Sequence, residues 1–534
     1  MDRRTFIKLT CAAGFSGSLL SGEQVWAKAG KDEIAFQPDA LSGRNFIKIP
    51  GPEAVIAGYP LSWWDKNFGV PLHIHSGPAI QANVKAFRDV FKAHYPKAEI
   101  RFAAKANPHP TVFRLISEAG EGVDAASEYE AEGAFLANVS PTHMDANGNA
   151  KSEKFLRMAI GRNMLIISDS PEEFELIGQL AKEMSATPRV MQRLSGFSLG
   201  NITQASSFTA GSWTKFGLNI KFFNDFLPLL DTHPHLDFQG FHVHIGSPIA
   251  TLEPYQIVAG KMIEFSQALA QRGRKCRMLN LGGGYPVNYL DKERWAWMLT
   301  RIREGYKAAK SGSPAKLWTW DNSASGFQDE LTGEIDLSQW TGESFYSDYP
   351  KEKMVDALLT GNVAVNGKTL SFAQALRDLG EPTLVIEPGR SITEDSGVTL
   401  ARVGQLKKVD GIHDLVALEI GVVNIGDALE HPTIPMNRWS LATDCERKDP
   451  EPFDTFIAGH LCFTGDMPSR YKIQLPRKPR RGDVLMKWDT GAYDPHFYAA
   501  NTNAFPRPAR VIVLADGSVE FLKKRDTLED IYSL

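Results

Sequence analysis

Cysteine is scarce, with four residues in a chain of 534. Cys11 falls in an N-terminal leader, and Cys276, Cys445 and Cys462 remain, an odd number that excludes a fully paired disulfide framework. An excess of one charge is also missing. With 59 Lys and Arg against 63 Asp and Glu, the net charge of -4 implies no nucleic-acid partner. Long hydrophobic runs are absent too. The apolar stretch at residues 9–20 is diluted by Gly14, Gly17 and polar side chains, too short and too polar for a stable membrane anchor. There is no internal repeat and no low-complexity tract. What remains, 43% hydrophobic and 23% charged residues, is the composition of a globular protein long enough for two domains.

The N-terminus has a charged head, Arg3-Arg4-Thr5-Phe6-Ile7-Lys8, then a weakly apolar middle, then Ala27-Lys28-Ala29, a small-x-small cleavage pattern. The head closely resembles the twin-arginine export motif, with Asp2 where a Ser usually stands. Residues 1–29 are therefore expected to be a signal peptide read by the twin-arginine export machinery, delivering a periplasmic or otherwise exported protein.

Short apolar runs at 71–75, 100–104, 122–125, 165–167, 190–194, 240–245, 278–281 and 384–386 alternate with stretches of helical periodicity, such as 79–94. Eight strands alternating with helices predict parallel pairing, closed as a (β/α)8 barrel, an α/β fold of the TIM type. From residue 397 onward, closely spaced Val, Leu and Ile runs with Gly, Pro and Asp between them predict a C-terminal β domain. The expected division is a segment at 30–62 joining the β domain, a barrel at 63–396 and the β domain at 397–534. Residues 311–370, with Trp318, Trp320 and Trp340, break the barrel's rhythm and are read as an insertion.

Several polar residues sit where strands end, which is the face a barrel presents to substrate. Lys105 follows an apolar run, and a lysine there can lose its proton and form a Schiff base. Gly282, Gly283 and Gly284 follow another strand, letting backbone N–H groups approach a phosphate. Glu387-Pro388-Gly389-Arg390 ends a third, and His242-Val243-His244-Ile245-Gly246-Ser247 closes a fourth. One cofactor, pyridoxal 5'-phosphate, needs all of these: an amine for its aldehyde, backbone donors and Arg390 for its phosphate, and an acid for its ring nitrogen. A metallohydrolase built on the pairs His73/His75 and His242/His244 is the competing reading, but it leaves the glycines and Glu387 to Arg390 without a task.

The stretches 102–107, 122–128, 215–217, 242–247, 281–286, 387–390, 462–466, 491–493 and 507–508 occur in the order seen in the ornithine/diaminopimelate decarboxylase family. From about residue 71 to 513 the chain resembles its diaminopimelate branch, whose barrel is of the alanine-racemase type. The resemblance implies that Lys105 is the Schiff-base lysine, Glu387 the partner of the pyridinium nitrogen and His244 the ring-stacking histidine. Ser247, Gly283, Gly284, Arg390 and Tyr493 would hold the phosphate, with Asp124 and Arg193 in support and no metal. Cys462 would be the general acid, brought by the partner subunit of a head-to-tail homodimer. Phe463 and Asp466 would face substrate. An amino-acid carboxy-lyase is thus expected. A racemase of the same fold is the alternative, against which Glu387 argues because an arginine faces the ring nitrogen there. The sequence departs from the family at Phe463, where the family has an acidic residue, at 418–423, where it usually carries an Asp-Gly-Gly-like stretch, and in the insertion. These departures leave the cofactor residues in place and alter the distal substrate pocket.

Overall fold

The computed structural model describes residues 43–199, 208–320, 346–425, 438–493 and 500–533. The expected signal peptide and the centre of the expected insertion, with Trp340, lie outside them. No helix among the described residues is long and apolar enough to cross a membrane.

Eight parallel strands close into a barrel. Strand β1 (Leu72–Ser76) lies outside the barrel, and the eight are β2 Ala98–Ala103, β3 Gly122–Ala125, β4 Met144–Ala146, β5 Leu165–Ser168, β6 Arg189–Ser195, β7 Asp237–His242, β8 Met278–Asn280 and β9 Thr383–Ile386. Each pairs with the next, and β9 returns to β2 through Leu384 opposite Ala98. Leu165, Ile167, Met191, Met278 and Val385 fill one part of the interior. Arg101 and Asp145 are buried charges on β2 and β4, paired at 3.3 Å.

One expected barrel strand belongs elsewhere. The histidine-bearing strand β1 pairs antiparallel with β10 (Gly397–Val409), Ile74 facing Val398, and parallel with a later strand, Ala509–Val513, Ile74 facing Val511. An apolar run buried on both faces fits either sheet equally, and its pattern does not encode its neighbours. The barrel's missing member is β4, only three residues long with an aspartate at its centre. This correction also separates the two histidine pairs of the metallohydrolase reading. His73 and His75 lie in the β domain, where His73 Nδ1 is 2.7 Å from Thr399 Oγ1, while His242 ends a barrel strand.

The described residues from 43 to 62 lie against the β domain: Ala54 N–H bonds Ala442 O, and Phe46, Ile56 and Leu61 pack with Val398, Leu400 and Met486. In the expected insertion, Leu317 and Trp318 pack with Met298 and Ile302 of the helix Lys292–Lys310. The hairpin Asn362–Val365 and Lys368–Ser371 lies on the helix Glu253–Gln271, so closely that a Cβ on Gly260 would meet Ala364 O at 2.3 Å. The later part of this segment is therefore part of the barrel's outer layer.

Candidate active site

Lys105 sits in a single 3-10 turn, Ala104–Ala106, just beyond β2. Its side chain stands exposed at the rim, whereas the residues on either side are buried. The β domain fixes the turn. Tyr493 N–H donates to Ala106 O at 2.9 Å, Asn107 Nδ2 to Gly491 O at 3.1 Å, and Arg510 Nη2 to Asn107 Oδ1 at 2.9 Å. One pocket at the carboxyl ends of the strands is lined by Lys105, Asp124, His244, Ser247, Gly284, Glu387, Arg390 and Tyr493, eight of the residues singled out in the sequence, together with Tyr285.

One end of the site is built on Glu387, which follows β9 and is buried. Asn280 Nδ2 donates to its Oε1 at 2.7 Å and His242 Nε2 lies 3.2 Å from Oε2. Nδ1 of His242 is buried without a hydrogen-bond partner, so the ring proton belongs on Nε2, facing the carboxylate. Burial favours the neutral acid, but His242, the Asn280 amide and the charge of Arg193 outweigh it and hold Glu387 below the usual carboxylate range. Asp124 behaves oppositely. Burial, then the charges of Glu387 and Asp145, push it well above that range. Burial likewise pushes Asp145 up to about 7, with Arg101 pulling the other way. The site thus separates one ionised carboxylate from two that retain protons at low pH.

At the other end lie the glycines. A Cβ on Gly283 would sit 2.2 Å from Glu387 O, and one on Gly284, whose φ is +93°, would sit 2.0 Å from Gly246 O, so neither position admits a larger residue. Gly283 N–H donates to His244 Nδ1 at 3.0 Å, and burial holds that imidazole neutral. Arg390 donates from Nη1 to Tyr289 Oη at 2.7 Å, and its guanidinium lies 4.8 Å from the Tyr493 ring centroid. An amine at the rim, an ionised carboxylate beneath, and a glycine cradle beside an arginine fit pyridoxal phosphate: the amine suits its aldehyde, the carboxylate its ring nitrogen and the cradle its phosphate.

Arg193 does not line the pocket. It stacks on Phe216 at 4.3 Å and stands 3.8 Å from Asp169, close enough for its charge to act on Glu387 and His244. Cys462 and Phe463 are exposed on a β-domain loop and do not line this pocket either. Asp466, expected to face substrate, does something else. It is buried, and its two carboxylate oxygens accept from Val422 N and Leu461 N, both at 2.6 Å. Its charge is used to hold the loop that carries Cys462. Sequence reasoning named His242 only as one of a histidine pair, without its tie to Glu387, and missed Asn280 and Asp145. For Asn280 a signal existed, since it is a polar residue within an apolar run, separated from the glycines only by Leu281.

Residues 78–313 match the family model described as the pyridoxal-binding domain of pyridoxal-dependent decarboxylases. The chain is 26% identical over 488 residues to diaminopimelate decarboxylase of Staphylococcus aureus, covering 90% of this chain and 96% of that one. It is 27% identical over 488 residues to the Bacillus subtilis diaminopimelate decarboxylase, covering 90% and 94%. The fold matches the crystal structure of the M. jannaschii diaminopimelate decarboxylase with a TM-score of 0.70 at 23% identity, over 92% of this chain and 98% of that one. It also matches the lysine/ornithine decarboxylase of Vibrio vulnificus with a TM-score of 0.60 at 18% identity, over 85% and 96%. The barrel is of the alanine-racemase type, its cofactor is pyridoxal 5'-phosphate, and the chain is a pyridoxal-phosphate-dependent carboxy-lyase.

Proposed function

We propose that the chain removes carbon dioxide from an amino acid or amino-acid conjugate whose distal group is not the ammonium-bearing centre of diaminopimelate. The observation that carries this is the ionised Glu387 carboxylate, held by His242 and Asn280 in the pocket that Lys105 overhangs. When bound, pyridoxal phosphate supplies a covalent handle for the substrate amine and an electron sink for the bond that breaks. Lys105 Nζ would hold the cofactor through its aldehyde. Glu387 would keep the ring nitrogen protonated, the state that favours decarboxylation over racemisation. His244, kept neutral, would offer a flat face to the ring without adding charge. Cys462 Sγ returns a proton to the substrate carbon. Because Cys462 is exposed and does not line the pocket of its own chain, a second copy supplies it, which makes the working unit a homodimer.

Phe463 beside that cysteine sets the substrate class. Diaminopimelate decarboxylases of known structure have been solved with L-lysine, from M. jannaschii and Helicobacter pylori. An apolar side chain cannot satisfy a distal ammonium as a carboxylate would. The substrate therefore carries an apolar or neutral distal end. A twin-arginine leader fits a cofactor enzyme, because that route carries folded proteins with the cofactor in place. Replacing Arg3 and Arg4 by Lys is expected to strand activity in the cytoplasm, and undiminished periplasmic activity would remove the export reading.

Purified protein loaded with pyridoxal phosphate, offered amino acids and their conjugates, is expected to release carbon dioxide from one of them. Lys105→Ala is expected to lose both that release and the visible absorbance of the loaded protein. Product formation by Lys105→Ala at the wild-type rate would defeat the proposal.

A further inference from the structure

Arg390 is buried at the phosphate end of the pocket, and a buried guanidinium needs something to hold its charge and its plane. That hold comes from a residue outside the pocket. Tyr289 Oη accepts from Arg390 Nη1 at 2.7 Å and donates to Glu394 Oε1 at 2.6 Å, and Glu394 Oε1 itself stands 3.5 Å from Arg390 Nη1. The second oxygen of the same carboxylate, Oε2, accepts from Ala492 N–H at 3.1 Å, and the backbone carbonyl of Glu394 accepts from Gly491 N–H at 2.9 Å. Those two residues lead directly into Tyr493, whose φ of +59° is left-handed and whose N–H is tied to Ala106 O beside Lys105. One carboxylate thus fixes an arginine from the barrel and a tyrosine turn from the β domain at the same time.

We propose that Glu394, acting through Tyr289, is the positioning residue of a phosphate-monoester cup made by Arg390 and Tyr493. This rests on the cofactor reading above. Glu394 is fully buried and is not among the residues lining the pocket, so it does not touch the phosphate. It orients the groups that do. The carboxylate carries the role because only a charged acceptor both balances the buried Arg390 and takes hydrogen bonds from a hydroxyl and a backbone N–H together. Holding Arg390 and the strained turn in their bound arrangement removes an ordering cost from phosphate binding. The sequence hides this link, since positions 289, 394 and 492 come together only when the β domain closes on the barrel.

The test separates phosphate recognition from general damage by using two ligands that differ only in the phosphate. The affinity of the apoprotein for pyridoxal 5'-phosphate and for pyridoxal is measured for wild type, Glu394→Ala and Tyr289→Phe. The closure of free pyridoxal to its internal hemiacetal belongs to the ligand and is the same for every variant, so the change in the ratio of affinities from wild type to variant reports the cup alone. In Glu394→Ala the preference for the phosphorylated ligand is expected to fall by about tenfold, the loss of a charge-assisted contact. Tyr289→Phe is expected to show a smaller fall in the same direction. If Glu394→Ala does not fold, Tyr289→Phe, which keeps the carboxylate and its bond to Ala492, decides by the same ratio. An unchanged ratio, or equal weakening of both ligands, overturns the proposal. A wild-type protein that takes up neither ligand defeats the cofactor reading itself, and that outcome is visible without any variant.

Discussion

His242 Nε2 faces the Glu387 carboxylate at 3.2 Å, two buried side chains at the carboxyl ends of different barrel strands. Burial lowers the affinity of His242 for a second proton, while Glu387 acts in the opposite sense. The result is a neutral imidazole that donates a hydrogen bond and a carboxylate that stays ionised. Glu387→Gln removes the charge while keeping the shape, and turnover is expected to fall by about 10² to 10³, the scale seen when a preorganised electrostatic group is removed. His242→Ala is expected to cost less, because the Asn280 amide still holds Oε1. Rates of carbon dioxide release from the loaded variants check both, and equal rates for Glu387→Gln and wild type would remove the carboxylate from the reaction.

The chemistry-bearing positions were legible because each stands at a punctuation mark. Lys105 follows an apolar strand, Glu387 precedes a Pro-Gly pair, and Gly283 and Gly284 admit no side chain. What could not be read depends on which strands become neighbours. Asp145 lies in a strand too short to show a period, and its meaning comes from Arg101 on the strand two places away in the ring. Strand β1 has the pattern of a barrel strand and pairs in the other sheet. Asp466 lies four residues after Cys462 in sequence, yet its carboxylate is consumed by the backbone of its own loop.

Asp145 makes stability depend on pH. Burial raises its carboxyl to about 7, against an ordinary value near 4. Between about pH 4 and pH 7 the folded protein therefore keeps a proton that the unfolded chain has released. Stability from this group is fully present at the acid end of that window and is lost as pH rises through 7. The charges around it are Arg101, Glu387, Glu99, Arg189 and, opposite it on the neighbouring strand β3, Asp124. Asp124, also raised, contributes in the same direction. Asp145→Asn keeps an oxygen for the Arg101 bond but cannot titrate, so urea unfolding of the apoprotein at pH 5 and pH 7.5 is expected to differ less in the variant than in wild type. The difference is on the order of 1 to 4 kcal/mol. The same pH dependence in both proteins would mean that Asp145 is ionised throughout.

The proposed sharing of active sites makes the strongest demand on assembly. Lys105 is anchored by Ala106 and Asn107 to its own chain's β domain, whereas Cys462 N–H is held by Asn503 Oδ1 on an exposed loop apart from that pocket. If the thiol of one copy serves the lysine of another, Lys105→Ala and Cys462→Ala are each inactive alone but complementary together. In a randomly mixed population half of the dimers are hybrids, and each hybrid has one site with both defects and one with neither. Co-refolding or co-expressing the two variants in equal amounts is therefore expected to restore about a quarter of wild-type activity, as two-fold symmetry requires. Recovery should rise with the time allowed for subunit exchange and stop when exchange is blocked by crosslinking. No recovery in a mixture shown by mass to contain hybrids would mean that each chain supplies its own acid.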